Sequence, residues 1–167
     1  PNLMAQDTEA IVGLILKHND LAPEGIVREL DTSYALPEGA GRFRVSIFRQ
    51  RRQFGIVMRA IPPRIGSFQE LNLPDVLGDI VQAQTGLVLV TGPTGNGKTT
   101  AMSSMIQFLN DTCNYNILTI EDPIEFLFTS NRSCVIQRAV GPDTESFPLG
   151  LKAALRMDPD VILVGEM

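Results

Sequence analysis

Two spacings of apolar residues divide the chain. In the earlier part, Phe43, Val45 and Ile47 alternate with Arg42, Arg44 and Ser46, the period-two signature of a strand buried on one face. The segments "RFRVSIF" and "FGIVMRAI", with "TSYAL" ahead of the turn "PEGAG", therefore predict a small antiparallel sheet, apolar on one face and arginine-bearing on the other. Asp7 precedes "TEAIVGLILKH", where the spacing of Ile11, Leu14, Ile15 and Lys17 predicts an amphipathic helix with an acidic first turn. A second, short helix is expected around Glu24 to Leu30.

From Gly86 onward the pattern changes to short, wholly apolar runs separated by helix-length segments: "LVLV", "ILTI" and "VILV". Strands apolar on both faces belong to a parallel sheet covered by helices on both sides. Between the runs, "TTAMSSMIQFLN" places Met102, Met105, Ile106 and Leu109 on one helical face, and Ser146 followed by "FPLGLKAALRM" predicts another helix ahead of Asp158 and Pro159. The expected fold class is α/β, an antiparallel-sheet domain followed by a parallel-sheet domain.

The boundary is expected at "IPPR", because paired prolines continue neither a ladder nor a helix. Residues 1–63 then form the first domain, 64–74 a linker and 75–167 the second. Ser67 and Glu70 have capping-box spacing, and Pro74 suits the first turn of a helix "DVLGDIVQAQ" ending before Gly86. Both ends read as cut: the chain opens on proline and stops at "VILVGEM", one step past a strand that carries an acid.

Composition adds limits. Of the 167 residues, 44% are hydrophobic and 20% charged, ordinary globular usage. No apolar stretch approaches the roughly 18 to 20 residues that span a bilayer, and no basic start followed by an apolar run marks a secretory signal, so the expected compartment is the cytosol. Cys113 and Cys134 lack metal-ligand spacing. The net charge of -5 argues against wholesale wrapping of nucleic acid. Yet Arg42, Arg44, Arg49, Arg51, Arg52, Arg59 and Arg64, half of the 14 basic residues, occupy a stretch with no carboxylate. A solvated sheet face and a phosphate-facing surface both account for it.

The densest chemistry lies in "GPTGNGKTT". Gly92, Gly97, Lys98 and Thr99 satisfy G-x-x-x-x-G-K-[ST], with an apolar run before the motif and a helical pattern after it. Glycines admit backbone angles closed to other residues and leave no side chain between peptide N–H groups and an anion. The helix start adds its positive dipole end, the Lys98 ammonium reaches terminal phosphates, and the Thr99 hydroxyl is placed to hold Mg²⁺. The expected ligand is a nucleoside triphosphate, cradled by Gly92, Pro93, Thr94, Gly95, Asn96, Gly97, Lys98, Thr99 and Thr100.

Cleavage needs carboxylates as well. "ILTIEDPIEF" supplies Glu121, Asp122 and Glu125, and "VILVGEM" supplies Glu166, all at predicted strand ends where parallel α/β sheets bind ligands. One acid near Mg²⁺ and another within reach of an in-line water would complete a hydrolytic site.

In order and spacing, "GLVLVTGPTGNGKTT", "ILTIEDPIEF", "DTESF" and "ALRMDPDVILVGEM" resemble the Walker A, Asp box and Walker B segments of the type II/IV secretion ATPase superfamily, above all its PilT-like pilus retraction branch. "GRFRVSIFRQ" with "VMRAIPP" is similar to the second half of that family's PAS-like N-terminal domain. The resemblance implies an incomplete PAS-like domain, then a RecA-like core truncated after Walker B. It further implies a homo-hexameric ring that hydrolyses ATP with Mg²⁺ to drive type IV pilus retraction and twitching motility. Such a ring is cytoplasmic, attaches peripherally at the inner membrane to pilus platform proteins, and needs no nucleic acid. The carry-over puts Lys98 and Thr99 on phosphate and metal, Glu121 and Asp122 on the nucleotide side, Glu125 as general base, and Glu166 as the Walker B acid acting on Mg²⁺. Arg42, Arg44 and Arg59 are the candidates for the arginines that reach phosphate. Pilus assembly and type II secretion ATPases share this core and stay open as the alternative. A RecA-like nucleic-acid motor is a reading from another class, with only Phe43, Phe48 and Phe54 among the arginines to stack on bases.

Overall fold

The computed structural model describes residues 4–19, 28–37 and 41–166. The chain divides into two compact units, Pro1–Pro63 and Arg64–Met167.

In the first unit, helix α1 (Ala5–His18) is followed by strands β1 (Glu29–Ala35), β2 (Arg42–Gln50) and β3 (Gln53–Ile61) in an antiparallel sheet of order β1-β2-β3. The Met4 N–H donates to the Asp7 carboxylate at 2.8 Å, which sets Asp7 in the first turn where negative charge complements the helix dipole. Val12, Ile15 and Leu16 then pack against Val45 and Ile47, the inward positions of β2. Leu14 departs from the expected buried face and is 62% exposed. The stripe that meets the sheet is Val12, Ile15 and Leu16, and at about 100° per residue Leu14 falls on its far side.

The helix expected at Glu24 to Leu30 is corrected in part. Residues 24–27 lie outside the described residues, whereas Glu29 and Leu30 begin β1, where Leu30 sits opposite Ile47 and joins the core. Cross-strand packing outweighs the helical propensity of that stretch. Strands β2 and β3 meet at Arg51 and Arg52, whose φ values of 49° and 69° provide the left-handed conformations a two-residue hairpin turn demands.

In the second unit, α2 (Val76–Val81), α3 (Lys98–Thr112), β4 (Asn116–Glu121), β5 (Cys134–Ala139), α4 (Phe147–Ala154) and β6 (Val161–Val164) build a parallel sheet of order β5-β4-β6. The central strand β4 is dry: Ile117, Leu118, Thr119 and Ile120 are each 0% exposed. Ile106 and Leu109 of α3 pack on Ile117, while Ala154 of α4 packs on Leu118 and Ile120. Neighbouring β4 residues point to opposite faces, so each helix covers one side. The architecture is thus the expected mixed α/β one, an antiparallel sheet followed by a parallel sheet.

Four details differ from expectation. The run "LVLV" forms no strand: Leu87, Val88 and Leu89 are 77%, 48% and 59% exposed, and no described strand pairs with them. Apolar character marks a segment suited to burial, but a ladder also needs a hydrogen-bonding neighbour. Strand β5 was not expected, because its apolar run is broken early by Gln137 and Arg138. Helix α2 covers only Val76–Val81, and α4 stops at Ala154, after which Arg156 and Met157 N–H groups bond three residues back to Ala153 and Ala154 in tightened turns. Ser67 and Glu70 do exchange capping-box hydrogen bonds, at 2.9 and 3.2 Å, but around a single turn. Glu70 also takes both prongs of Arg64, at 2.8 and 2.7 Å, and this hydrogen bonding holds its carboxyl down at about 2.

Candidate functional site

The loop from Gly92 to Gly97 takes its shape from glycine. Gly92, Gly95 and Gly97 have φ values of 150°, 84° and 77°, and Gly97 is the left-handed N-cap of α3. A Cβ at any of the three would meet nothing within 4 Å, so the dihedral angle, not crowding, demands glycine. Gly97 brings no capping side chain to the first N–H groups of α3, which leaves them available to an anion. The Lys98 ammonium folds back across the loop, donating to the carbonyl oxygens of Gly92 at 2.9 Å and Pro93 at 3.1 Å. Thr94, Gly95 and Asn96 form the exposed crest, while Lys98, Thr99 and Thr100 are half-buried in the first turn of the helix. The segment can hold an anion through backbone N–H groups and one ammonium, with the Thr99 hydroxyl beside them for a cation.

Topology brings the acids to the same end of the unit. Helix α3 reaches β4 through residues 113–115 alone, so the α3 N-terminus stands at the end of the sheet where β4 finishes at Glu121. Glu166 follows β6 by two residues on that edge. Between them Gly165 donates its N–H to the Ile120 carbonyl at 2.8 Å, and a Cβ there would lie 3.3 Å from that oxygen and 3.4 Å from the Glu121 Cα. Glycine at 165 thus allows the segment leading to Glu166 to run close beside Glu121.

The acids have unlike surroundings. Glu121 is 7% exposed and accepts hydrogen bonds from the Thr119 hydroxyl at 2.7 Å, the Gln137 amide at 3.2 Å and the Glu125 backbone N–H. Burial pushes its carboxyl upward, and these hydrogen bonds oppose that rise. Asp122 is exposed next to the cis bond to Pro123, Glu125 is half-buried, and Glu166 is exposed. Among the described residues no group of three or more histidine, cysteine or acidic side chains could by itself hold a metal. Any Mg²⁺ at Thr99 would need oxygen ligands beyond the protein, as phosphate-bound magnesium does.

Arg42, Arg44 and Arg59 share the sheet face of the first unit opposite α1. Arg42 donates to the Ser33 hydroxyl at 2.8 Å, and Arg44 stands directly across from Arg59 in the β2–β3 ladder. Gln137, in contrast, was missed by the sequence reading although it touches the segment carrying Glu125. Its amide donates to the Phe126 carbonyl and accepts from the Phe128 N–H, each at 2.8 Å. The available signal was a polar residue inside a run otherwise readable as a buried strand.

A glycine loop heading a helix, with acids at the strand ends of a parallel sheet, sets the chain among α/β proteins. Residues 23–167 match the family described as Type II/IV secretion system protein, and the chain belongs to that family. It is 49% identical over 139 residues to the type IV pilus retraction ATPase PilT of Pseudomonas aeruginosa, covering 83% of this chain and 40% of that protein. It is also 49% identical over 139 residues to a twitching motility protein of Neisseria gonorrhoeae, covering 83% of this chain and 37% of the relative. A crystal structure of the pilus retraction motor PilT with bound ADP superposes with a TM-score of 0.84 at 43% identity, covering 97% of this chain and 47% of that one. The chain thus spans less than half the length of each.

Proposed function

We propose that the whole protein is a P-loop ATPase of the secretion superfamily and works as a pilus retraction motor. The observation that carries this reading is the Lys98 ammonium bridging two carbonyls of a loop shaped by three positive-φ glycines at the start of a 15-residue helix. The relatives at 49% identity, a retraction ATPase and a twitching motility protein, support retraction as the output.

In this reading Gly92–Thr100 binds the phosphates of ATP through backbone N–H groups, and Lys98 leaves its carbonyl partners for the terminal phosphates. ATP with Mg²⁺ supplies the scissile phosphoanhydride when bound. The Thr99 hydroxyl and the Glu166 carboxylate would hold Mg²⁺, Glu121 and Asp122 would shape the nucleotide edge, and Glu125 would accept the proton of the attacking water. Arg42, Arg44 and Arg59 are assigned to phosphate in the assembled ring. The first 63 residues then form a PAS-like domain, 64–74 a linker and 75–167 a RecA-like core. Six subunits form the ring, on the cytoplasmic side and peripheral at the inner membrane, acting on platform proteins of the pilus. No described helix is long and apolar enough to cross a membrane.

The test is turnover and binding in the full-length protein. Glu125→Ala should retain ATP affinity and lose hydrolysis by at least about a hundredfold, the lower end of the usual general-base contribution. Wild-type turnover in that variant removes Glu125 from the base role.

A further inference from the structure

We infer that Gln137, on β5, is the positioning residue for Glu125: its single amide clamps the backbone on the C-terminal side of that carboxylate and ties it to Glu121. The inference rests on the proposed role of Glu125 at the reacting phosphate.

A glutamine amide offers two donor hydrogens and one acceptor oxygen. Gln137 uses all three. Nε2 donates to the Phe126 carbonyl at 2.8 Å and to Glu121 Oε1 at 3.2 Å, and Oε1 accepts the Phe128 N–H at 2.8 Å. Gln137 stands opposite Thr119 in the β4–β5 register, so Thr119, Glu121 and Gln137 share one sheet face, the face on which Ile117 packs against α3.

Burial alternates along the held segment. Phe126 is 6% exposed, Leu127 is 66% exposed, and Phe128 packs against the Ile106, Leu109 and Ile117 cluster. Glu125 lies one residue ahead of the first clamped group, and its own N–H is held by the Glu121 carboxylate. Backbone groups at 125, 126 and 128 are therefore fixed by two side chains from adjacent strands.

No common replacement reproduces the clamp. Methionine matches the length but offers neither donor nor effective acceptor, glutamate keeps the acceptor and loses both donors, and asparagine falls one methylene short. Displacing a catalytic group by about an ångström costs on the order of a hundredfold in rate, and losing an outer partner of a site residue costs about 10- to 100-fold.

The experiment compares Gln137→Met, Glu125→Gln and the double variant in the full-length protein. Gln137→Met should lower kcat for ATP by about 10- to 100-fold while KM and ADP affinity stay within about twofold, with faster amide exchange confined to residues 125–128. On the Glu125→Gln background it should cause no further loss, because the two residues act as a unit. An unchanged kcat alongside faster exchange makes Gln137 structural only and overturns the inference. Independent, multiplicative losses in the double variant overturn it as well. Wild-type turnover in Glu125→Gln alone counts instead against the base assignment beneath it. Should Gln137→Met fail to fold, Gln137→Glu, which retains the acceptor for the Phe128 N–H, carries the same comparison.

Discussion

The Lys98 ammonium donates to the Gly92 carbonyl oxygen at 2.9 Å, closing the glycine loop from the first residue of α3 back to its beginning. A lysine held this way is preorganised: its charge already lies against the loop, and its partners are neutral carbonyls that a phosphate would outcompete. Charge-assisted hydrogen bonds to anionic oxygens are roughly twice as strong as those between neutral groups. The loop geometry and the lysine therefore form one device.

Gly97 sets the angle between that loop and the helix. With φ at 77° and open space around the missing Cβ, Gly97→Ala should cost about 1–2 kcal/mol through its dihedral alone. Thermal unfolding with and without ADP checks this: the variant should lose most of the stabilisation by ADP, and a full wild-type shift would mean that the loop conformation is not required.

Glu121 predicts a pH effect of definite sign. Burial raises its folded carboxyl above the ordinary value, so its contribution to stability is fully present below that value and declines as pH rises through the folded one. Glu121→Gln removes the titration and keeps an acceptor for the surrounding donors. Melting temperatures between pH 4 and pH 8 should fall more steeply toward high pH in the wild type than in the variant. Parallel curves would place the Glu121 carboxylate in a more solvated setting than its 7% exposure implies.

Asn110 holds a different loop. It is 0% exposed; its amide donates to the Thr129 carbonyl at 2.9 Å and its oxygen accepts the Asn131 N–H at 3.0 Å. Asn110→Ala removes both hydrogen bonds at a fully buried position, and each lost intramolecular hydrogen bond costs about 0.5–1.5 kcal/mol. Denaturant unfolding should show a drop in that range or above, and a change within experimental error would show that solvent replaces the amide freely.

Much of this was legible because the informative residues act locally. The alternation of Phe43, Val45 and Ile47 with arginine marked β2, and Ser146 marked the start of α4, where its hydroxyl accepts the Leu149 N–H at 3.4 Å. The loop motif was readable since glycine torsion and a lysine at the helix start are properties of neighbouring residues. What escaped depended on partners distant in sequence. Leu87 to Val90 look like a strand by composition, yet strand formation is a property of pairs, and Leu30 joined β1 because Ile47 lies opposite. Gln137 was invisible for the same reason: its partners at 121, 126 and 128 belong to β4 and to a loop, and nothing in its own neighbourhood announces them.

Calorimetric titration of ADP into the full-length protein and its Lys98→Ala variant tests the central claim most directly. The account predicts that the variant binds at least about thirtyfold more weakly, equivalent to about 2 kcal/mol for a lost charge-paired hydrogen bond. Equal affinity in the two proteins would contradict it.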